Sequence, residues 1–112
     1  MKVLTECIQL SDKNFDQEVL GFKGYVIVDF WADWSGPCHI MAPIIEQLSV
    51  TFKDRLKVGS INFEQNTDLA NQYGVSSVPT FLFFKQGQLM DRVSGIMSTN
   101  DLTKKLNAFI HS

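Results

Sequence analysis

The sequence predicts an α/β protein in which at least part of the sheet is parallel. Strand-like and helix-like segments alternate along the chain, and one strand segment in the first third is apolar on both faces, as a central strand covered by helices would be. The chain has 112 residues, 45% of them hydrophobic and 20% charged, which suits one globular domain over residues 1–112. The predicted order of elements is βαβαβαββα.

The first half of the chain supplies two strands and two helices of this order. Residues 7–10 form a short strand, and Ser11 and Asp12 are good N-cap residues for a helix that carries Phe15, Val19 and Leu20. Tyr25–Trp31 is the segment that is apolar on both faces, and its β-branched and aromatic residues predict the central strand. Residues 38–52 carry apolar side chains at helical spacing, and Pro43 inside this helix predicts a kink.

The second half supplies three strands and two helices. Residues 56–63 are a strand, 67–73 a short helix that closes near Gly74, and Thr80–Lys85 a buried strand. Gln86-Gly87 predicts a tight turn into residues 88–93, so the last two strands form an antiparallel hairpin. Ser98 caps a final amphipathic helix, because an acidic residue follows three positions later and the apolar residues Leu102, Leu106, Phe109 and Ile110 come next.

Charge and composition exclude several classes of function. The net charge is -2 with dispersed Lys and Arg, which disfavours binding to nucleic acid or to an anionic membrane surface. Residues 1–13 carry no continuous apolar stretch, so they do not resemble a secretory signal, and the longest apolar runs are too short to cross a bilayer. We therefore expect a soluble intracellular protein. Two cysteines and two distant histidines predict no metal site.

Trp34-Ser35-Gly36-Pro37-Cys38 lies where the central strand ends and a helix begins. Unpaired backbone N–H groups and the helix dipole favour a negative charge at such a place. In a Cys-x-x-Cys pair at this position, the first sulfur is exposed at the helix start, and the second lies one turn inside within reach of a disulfide. This chain has only the second sulfur.

The resemblance to the thioredoxin family rests on Val28-Asp29-Phe30-Trp31-Ala32-Asp33-Trp34-Ser35-Gly36-Pro37-Cys38, then Ala42-Pro43, Val78-Pro79-Thr80 and Gly95. It covers nearly the whole chain, and it implies a three-layer α/β/α thioredoxin fold with a mixed five-stranded sheet in the order 1-3-2-4-5. It further implies a monomeric protein-disulfide oxidoreductase of the cytoplasm or of a reducing organelle, with no cofactor. Its implied partners are disulfide-containing target proteins and thioredoxin reductase.

The resemblance also implies the site residues. Ser35 occupies the nucleophile position where the family has cysteine, Cys38 is the resolving thiol, and Gly36 and Pro37 lie between them. Asp29 is the implied buried proton acceptor, and Ser60 stands where the family often has a lysine. A cis peptide bond is implied at Val78-Pro79. The residues implied to receive target polypeptides are Trp34, Val78, Pro79, Gly95 and Ile96.

Ser35 leaves three hypotheses open. An alcohol forms no anion comparable to a thiolate near neutral pH, so disulfide exchange should fail and reductase turnover should be negligible. The first hypothesis is an ordinary reductase disabled by an introduced serine, the second a natural non-redox module that binds an extended segment, and the third a monothiol enzyme acting through Cys38. A serine hydrolase with His39 as base is disfavoured. Cys7 is interpreted as a small core residue far from the site.

Overall fold

Five strands form one mixed sheet in the computed structural model, which describes residues 6–112. The strands are β1 (Ile8–Leu10), β2 (Tyr25–Trp31), β3 (Lys57–Asn62), β4 (Thr80–Lys85) and β5 (Gln88–Ser94). The helices are α1 (Gly36–Thr51), α2 (Thr67–Gln72) and α3 (Thr99–Ile110). The sheet order is β1-β3-β2-β4-β5, as the resemblance implied.

Strand direction also agrees with the prediction. β1 and β2 each pair with β3 in parallel, whereas β4 pairs antiparallel with β2 and β5 antiparallel with β4. The hairpin between β4 and β5 turns at Gln86 and Gly87, whose φ values are 51° and 78°. Two successive positive φ values define the type I′ turn, which matches the twist of the flanking strands and explains the glycine.

Helices cover both faces of the sheet. Apolar side chains of α1 and α3 pack on one face, in a cluster of Ile27, Met41, Ile45, Leu48, Phe52, Leu56, Val58, Phe81, Phe83, Leu102, Leu106 and Phe109. α2 packs on the other face, where the cluster contains Leu10, Phe15, Val19, Val26, Val28, Phe30, Ile61, Leu69, Ala70, Val75, Leu82 and Phe84. Burial on both faces is why β2 and β4 read as continuous apolar runs in the sequence.

The first predicted helix is a π-helical turn rather than an α-helix. It spans Asp16–Leu20, and the Gly21 N–H donates to the Asp16 carbonyl at 2.7 Å, a spacing of five residues. Ser11 does not cap this helix as predicted, because its N-cap is Phe15 and makes no side-chain cap hydrogen bond. The Ser11 Oγ accepts the Lys13 N–H at 3.2 Å in the turn that precedes the helix. Asp12 does not cap it. Its own N–H instead donates to the Asn66 side chain, which ties this segment to the start of α2.

The register brings three chain segments to one end of the sheet. Phe30 near the end of β2 pairs with Thr80 at the start of β4, and Thr80 pairs with Ser94 at the end of β5. The segments after β2, before β4 and after β5 therefore meet at this end, which we call the site end. α1 starts there, two positions earlier than predicted, and continues through Pro43 to Thr51. None of the helices within residues 6–112 has the length and apolar character to cross a membrane.

Candidate functional site

Ser35 is the N-cap of α1. Its backbone is extended, with φ -93° and ψ 112°, and its Oγ accepts a hydrogen bond from the Cys38 N–H at 3.3 Å. Pro37 lies in the first turn of the helix, where a backbone N–H has no partner within the helix, so the missing N–H of proline costs no hydrogen bond. Gly36 and Pro37 are both exposed, so the turn between Ser35 and Cys38 faces solvent.

The Ser35 side chain is not exposed, contrary to the expectation for this position. Only 4% of the residue is accessible, because the hydroxyl turns back onto the first turn of α1 to cap it. Cys38, one turn inside the helix, is also buried, with 6% of its surface accessible. The exposed member of this segment is Trp34, at 65%.

Asp29 is a buried carboxylic acid in the middle of β2. It is 6% accessible, and its Oδ1 accepts no hydrogen bond from the described residues. Burial alone raises the pKa of this carboxyl from 3.8 to about 7, since no described cation or hydrogen-bond donor offsets the loss of water. The group is therefore poised to exchange a proton near neutral pH.

A cavity of about 280 Å³ joins Asp29 to Cys38 beneath α1. We call it the Asp29 cavity, and its lining residues are Cys7, Gln9, Asp29, Trp31, Ala32, Cys38, His39, Ala42, Ile45, Glu46 and Ser60. Asp29 and Cys38, the proton acceptor and the resolving thiol that the resemblance implied, thus face the same space. Ser60 also lines the cavity, and this is the position where the family often has a lysine.

The position of Cys7 differs from the sequence interpretation, which placed it far from the site. It packs against the core cluster under α1, as a core residue would, but it also lines the Asp29 cavity and so is not far from the site. Side chains alternate along a strand, so residues 7 and 9 lie on the same face of the sheet. Gln9 pairs with Ser60, and Ser60 pairs with Asp29, which brings this face of the first strand close to Asp29. Two thiols of the chain therefore face one cavity.

The other side of the site end carries the predicted binding residues. The Val78-Pro79 peptide bond is cis, as the resemblance implied, and the Gly95 N–H donates to the Pro79 carbonyl at 2.9 Å. Gly95 has φ 94°, a conformation that a residue with a Cβ adopts only with strain. Ile96 follows with 53% of its surface accessible. Val78, Pro79, Gly95 and Ile96 are thus brought together at the site end.

A sulfur contact connects this side to α1. The Met97 N–H donates to the Sδ of Met41 at 3.4 Å, and Met41 lies one turn beyond Cys38. The loop after β5 is therefore attached to the helix that carries Ser35 and Cys38. We use the name site-end surface for six residues of the segments that meet at this end of the sheet: Trp34, Pro37, Val78, Pro79, Gly95 and Ile96.

Neither a hydrolase pair nor a metal cluster is found in the described part of the chain. A His39 ring nitrogen lies 2.6 Å from the Asp33 carbonyl oxygen, and no imidazole bonds the Ser35 hydroxyl within residues 6–112. Over the same range, no group of three or more His, Cys, Asp or Glu side chains is arranged to hold a metal ion. The chemistry of the site is that of its thiols and its buried carboxyl group.

Comparison with known proteins agrees with this geometry. The family model described as Thioredoxin matches residues 6–108. The thioredoxin of Chlorobaculum thiosulfatiphilum is 38% identical over 102 residues, covering 91% of this chain and 94% of its own. Thioredoxin 1 of Nostoc sp. is 38% identical, covering 92% and 96%, and the thioredoxin of Buchnera aphidicola is 36% identical, covering 96% and 100%. The chain belongs to the thioredoxin family, and the thiol-disulfide oxidoreductases are its functional class.

Proposed function

We propose that this chain is a thioredoxin-type protein that binds extended, disulfide-containing polypeptides at the site-end surface, with disulfide exchange interrupted at Ser35. One observation carries this proposal: the Ser35 hydroxyl occupies the N-cap of α1 and accepts the Cys38 N–H. In the family pattern a sulfur takes this position, where backbone N–H groups and the helix dipole stabilise a thiolate.

The missing sulfur stops the cycle at its first step. Disulfide exchange begins when a thiolate attacks one sulfur of the target disulfide and forms a mixed disulfide. The Ser35 hydroxyl stays protonated near neutral pH and cannot form an S–S bond. The internal bridge to Cys38 that would release the reduced target is then impossible as well.

The remaining groups suit the second half of that cycle. Cys38 is the resolving thiol in this proposal, and Asp29, which shares its cavity, accepts the proton when Cys38 becomes nucleophilic. A carboxyl with a pKa of about 7 has an appropriate proton affinity for that role. Gly36 and Pro37 hold the two positions one helical turn apart. Neither the resolving thiol nor its base has a reaction to complete while position 35 is serine.

The site-end surface suits an extended polypeptide. It combines an exposed Trp34 and an exposed Ile96 with the backbone of Val78, so that a target can make apolar contacts with the side chains and main-chain hydrogen bonds with Val78. In the family such targets carry disulfides, and thioredoxin reductase returns the electrons. We propose the same partners for a form of this chain with a cysteine at position 35, in a reducing compartment.

Reductase-coupled insulin reduction tests the proposal. At equal concentration, Ser35→Cys should turn over at least about a hundredfold faster than the unchanged chain, because one nucleophile limits the whole unit. Ser35→Ala and the double variant Ser35→Cys with Cys38→Ser are the matched controls, and both should remain inactive. An inactive Ser35→Cys variant that folds normally would contradict the proposal.

A second candidate function is a binding module that performs no redox step at all. The exposure of Trp34 and Ile96 favours it, since large apolar side chains at a solvent-facing rim commonly mark a contact surface. The two candidates differ in the Ser35→Cys variant. A binding module would hold an extended peptide equally well before and after the substitution and would gain no insulin reductase activity.

A further inference from the structure

The Asp29 cavity lies on the opposite flank of β2 from the site-end surface. β2 is bordered by β4, which begins beside Val78 and Pro79, on one side and by β3 and then β1 on the other. Cys7, Gln9 and Ser60 line the cavity from the β1 and β3 side. A ligand in this cavity would therefore approach from a different direction than a polypeptide on the site-end surface.

Two independent features indicate that the cavity takes a ligand. Asp29 lines it with a buried Oδ1 that has no hydrogen-bond partner among the described residues, although an unsatisfied buried oxygen is costly. Cys7 lines it with a half-buried thiol, whereas Cys38 is buried at 6%. The more accessible sulfur on this cavity is thus one to which the proposed function gives no role.

We propose that the Asp29 cavity is a thiol-modification site, in which Cys7 forms a mixed disulfide with a small aliphatic disulfide that carries positive charge. The Cys7 sulfur attacks one sulfur of the ligand, an S–S bond forms between them, and the S–S bond of the ligand breaks. The thiol proton passes to the Asp29 carboxylate and then to the departing thiolate, which leaves as a small thiol. No other oxidant is required, because the ligand disulfide is itself reduced.

The charges around the cavity select a cation. Asp29 from β2 and Glu46 from α1 both line it, and His39 from α1 is the remaining charged or imidazole side chain. Among the described residues that line it, there is no Lys or Arg. A ligand with ammonium groups would gain from both carboxylates, whereas an anionic disulfide would be repelled.

The charges near Cys7 also favour a cationic ligand. Burial raises the pKa of the Cys7 thiol most, a hydrogen bond from the Ser60 side chain lowers it, and the charges of Asp29 and Glu46 raise it further. Ammonium groups beside these carboxylates would offset their field and favour the thiolate. The ligand class that binds best is therefore also the class that activates the sulfur.

Two disulfides of similar size and opposite charge test the proposal on the unchanged chain. Cystamine is a dication and 3,3′-dithiodipropionate a dianion, and adduct formation with each is followed by intact mass and located by peptide mapping. We expect the adduct on Cys7, formed about tenfold faster with cystamine. Equal rates for the two probes, a faster anionic probe, or an adduct confined to Cys38 would each overturn the proposal.

Variants separate the site from general thiol reactivity. Cys7→Ala should abolish the adduct and Cys38→Ala should leave it in place. Glu46→Gln should reduce the preference for cystamine a few-fold, whereas Glu64→Gln, on an exposed loop carboxylate outside the cavity, should not change it. An unchanged preference in Glu46→Gln would contradict the charge assignment. None of these outcomes depends on position 35, so this site and the proposed function can fail separately.

Discussion

The Oγ of Ser35 lies 3.3 Å from the backbone nitrogen of Cys38 and accepts its hydrogen bond. The contact satisfies one of the N–H groups that a helix leaves unpaired at its start. At this same place the family pattern requires a sulfur anion. The hydroxyl therefore contributes to the stability of α1 while removing the nucleophile, and the two effects can be measured separately.

Removing the cap should destabilise the protein without changing its chemistry. Ser35→Ala is expected to lower the free energy of unfolding by about 1 kcal/mol, the usual effect of losing a serine N-cap. Ser98→Ala at the start of α3 is the matched control, because its Oγ accepts the Asp101 N–H at 3.0 Å in the same geometry. Urea unfolding of both variants checks this, and no loss in Ser35→Ala would show that the hydrogen bond contributes nothing.

Asp29 should make stability depend on pH. Its folded pKa of about 7 lies above the ordinary 3.8, so between these values the folded state holds a proton that the unfolded state releases. The contribution is fully present below the unfolded pKa and is lost as pH rises through about 7. The folded protein is then left with a buried charge in alkaline solution.

Asp29→Asn removes that charge in an isosteric side chain. At about pH 8 the variant should be more stable than the unchanged chain by about 4 kcal/mol, and the difference should shrink toward zero near about pH 4. Urea unfolding across this range measures it. A stability difference that stays constant with pH would mean that Asp29 does not titrate as its burial requires.

The site-end surface should control the reaction with targets once a nucleophile is present. In the Ser35→Cys background, Ile96→Ser is expected to lower kcat/KM for insulin about tenfold, because an apolar contact with the target is lost. Met90→Ser is a matched control, since Met90 lies on β5 outside this surface and is equally exposed at 53%. Equal effects of the two substitutions would argue against a specific docking surface.

Much of the fold follows from local patterns in the sequence. β2, β4 and the α3 helix were predicted because strongly apolar runs and a regular helical stripe with a serine cap leave few alternatives. The prediction of the first helix was wrong in type and in its cap, because periodicity does not distinguish a π-helical turn from an α-helix and the helix begins after Phe15, beyond Ser11 and Asp12. The sheet order came from the resemblance, because long-range pairing leaves no local signature.

The candidate site was predicted in part for the same reason. Asp29 stood out because a carboxylate inside an apolar strand is costly, and the structure buries it in the wall of a cavity. Cys7 was missed because its nearness to Asp29 depends on the strand register, which pairs Gln9 with Ser60 and Ser60 with Asp29, and the sheet order alone does not give that register. The burial of the Ser35 hydroxyl was missed because capping depends on the side-chain rotamer and not on residue type alone.

A single-turnover reaction with insulin, followed by disulfide mapping, tests the central claim most directly. Fully reduced Ser35→Cys is mixed with excess insulin, and the disulfides of both proteins are mapped. We expect reduced insulin together with one disulfide joining the introduced cysteine to Cys38. If the insulin stays oxidised, or if Cys38 pairs with Cys7 instead, the account of a thioredoxin site interrupted at a single side chain is contradicted.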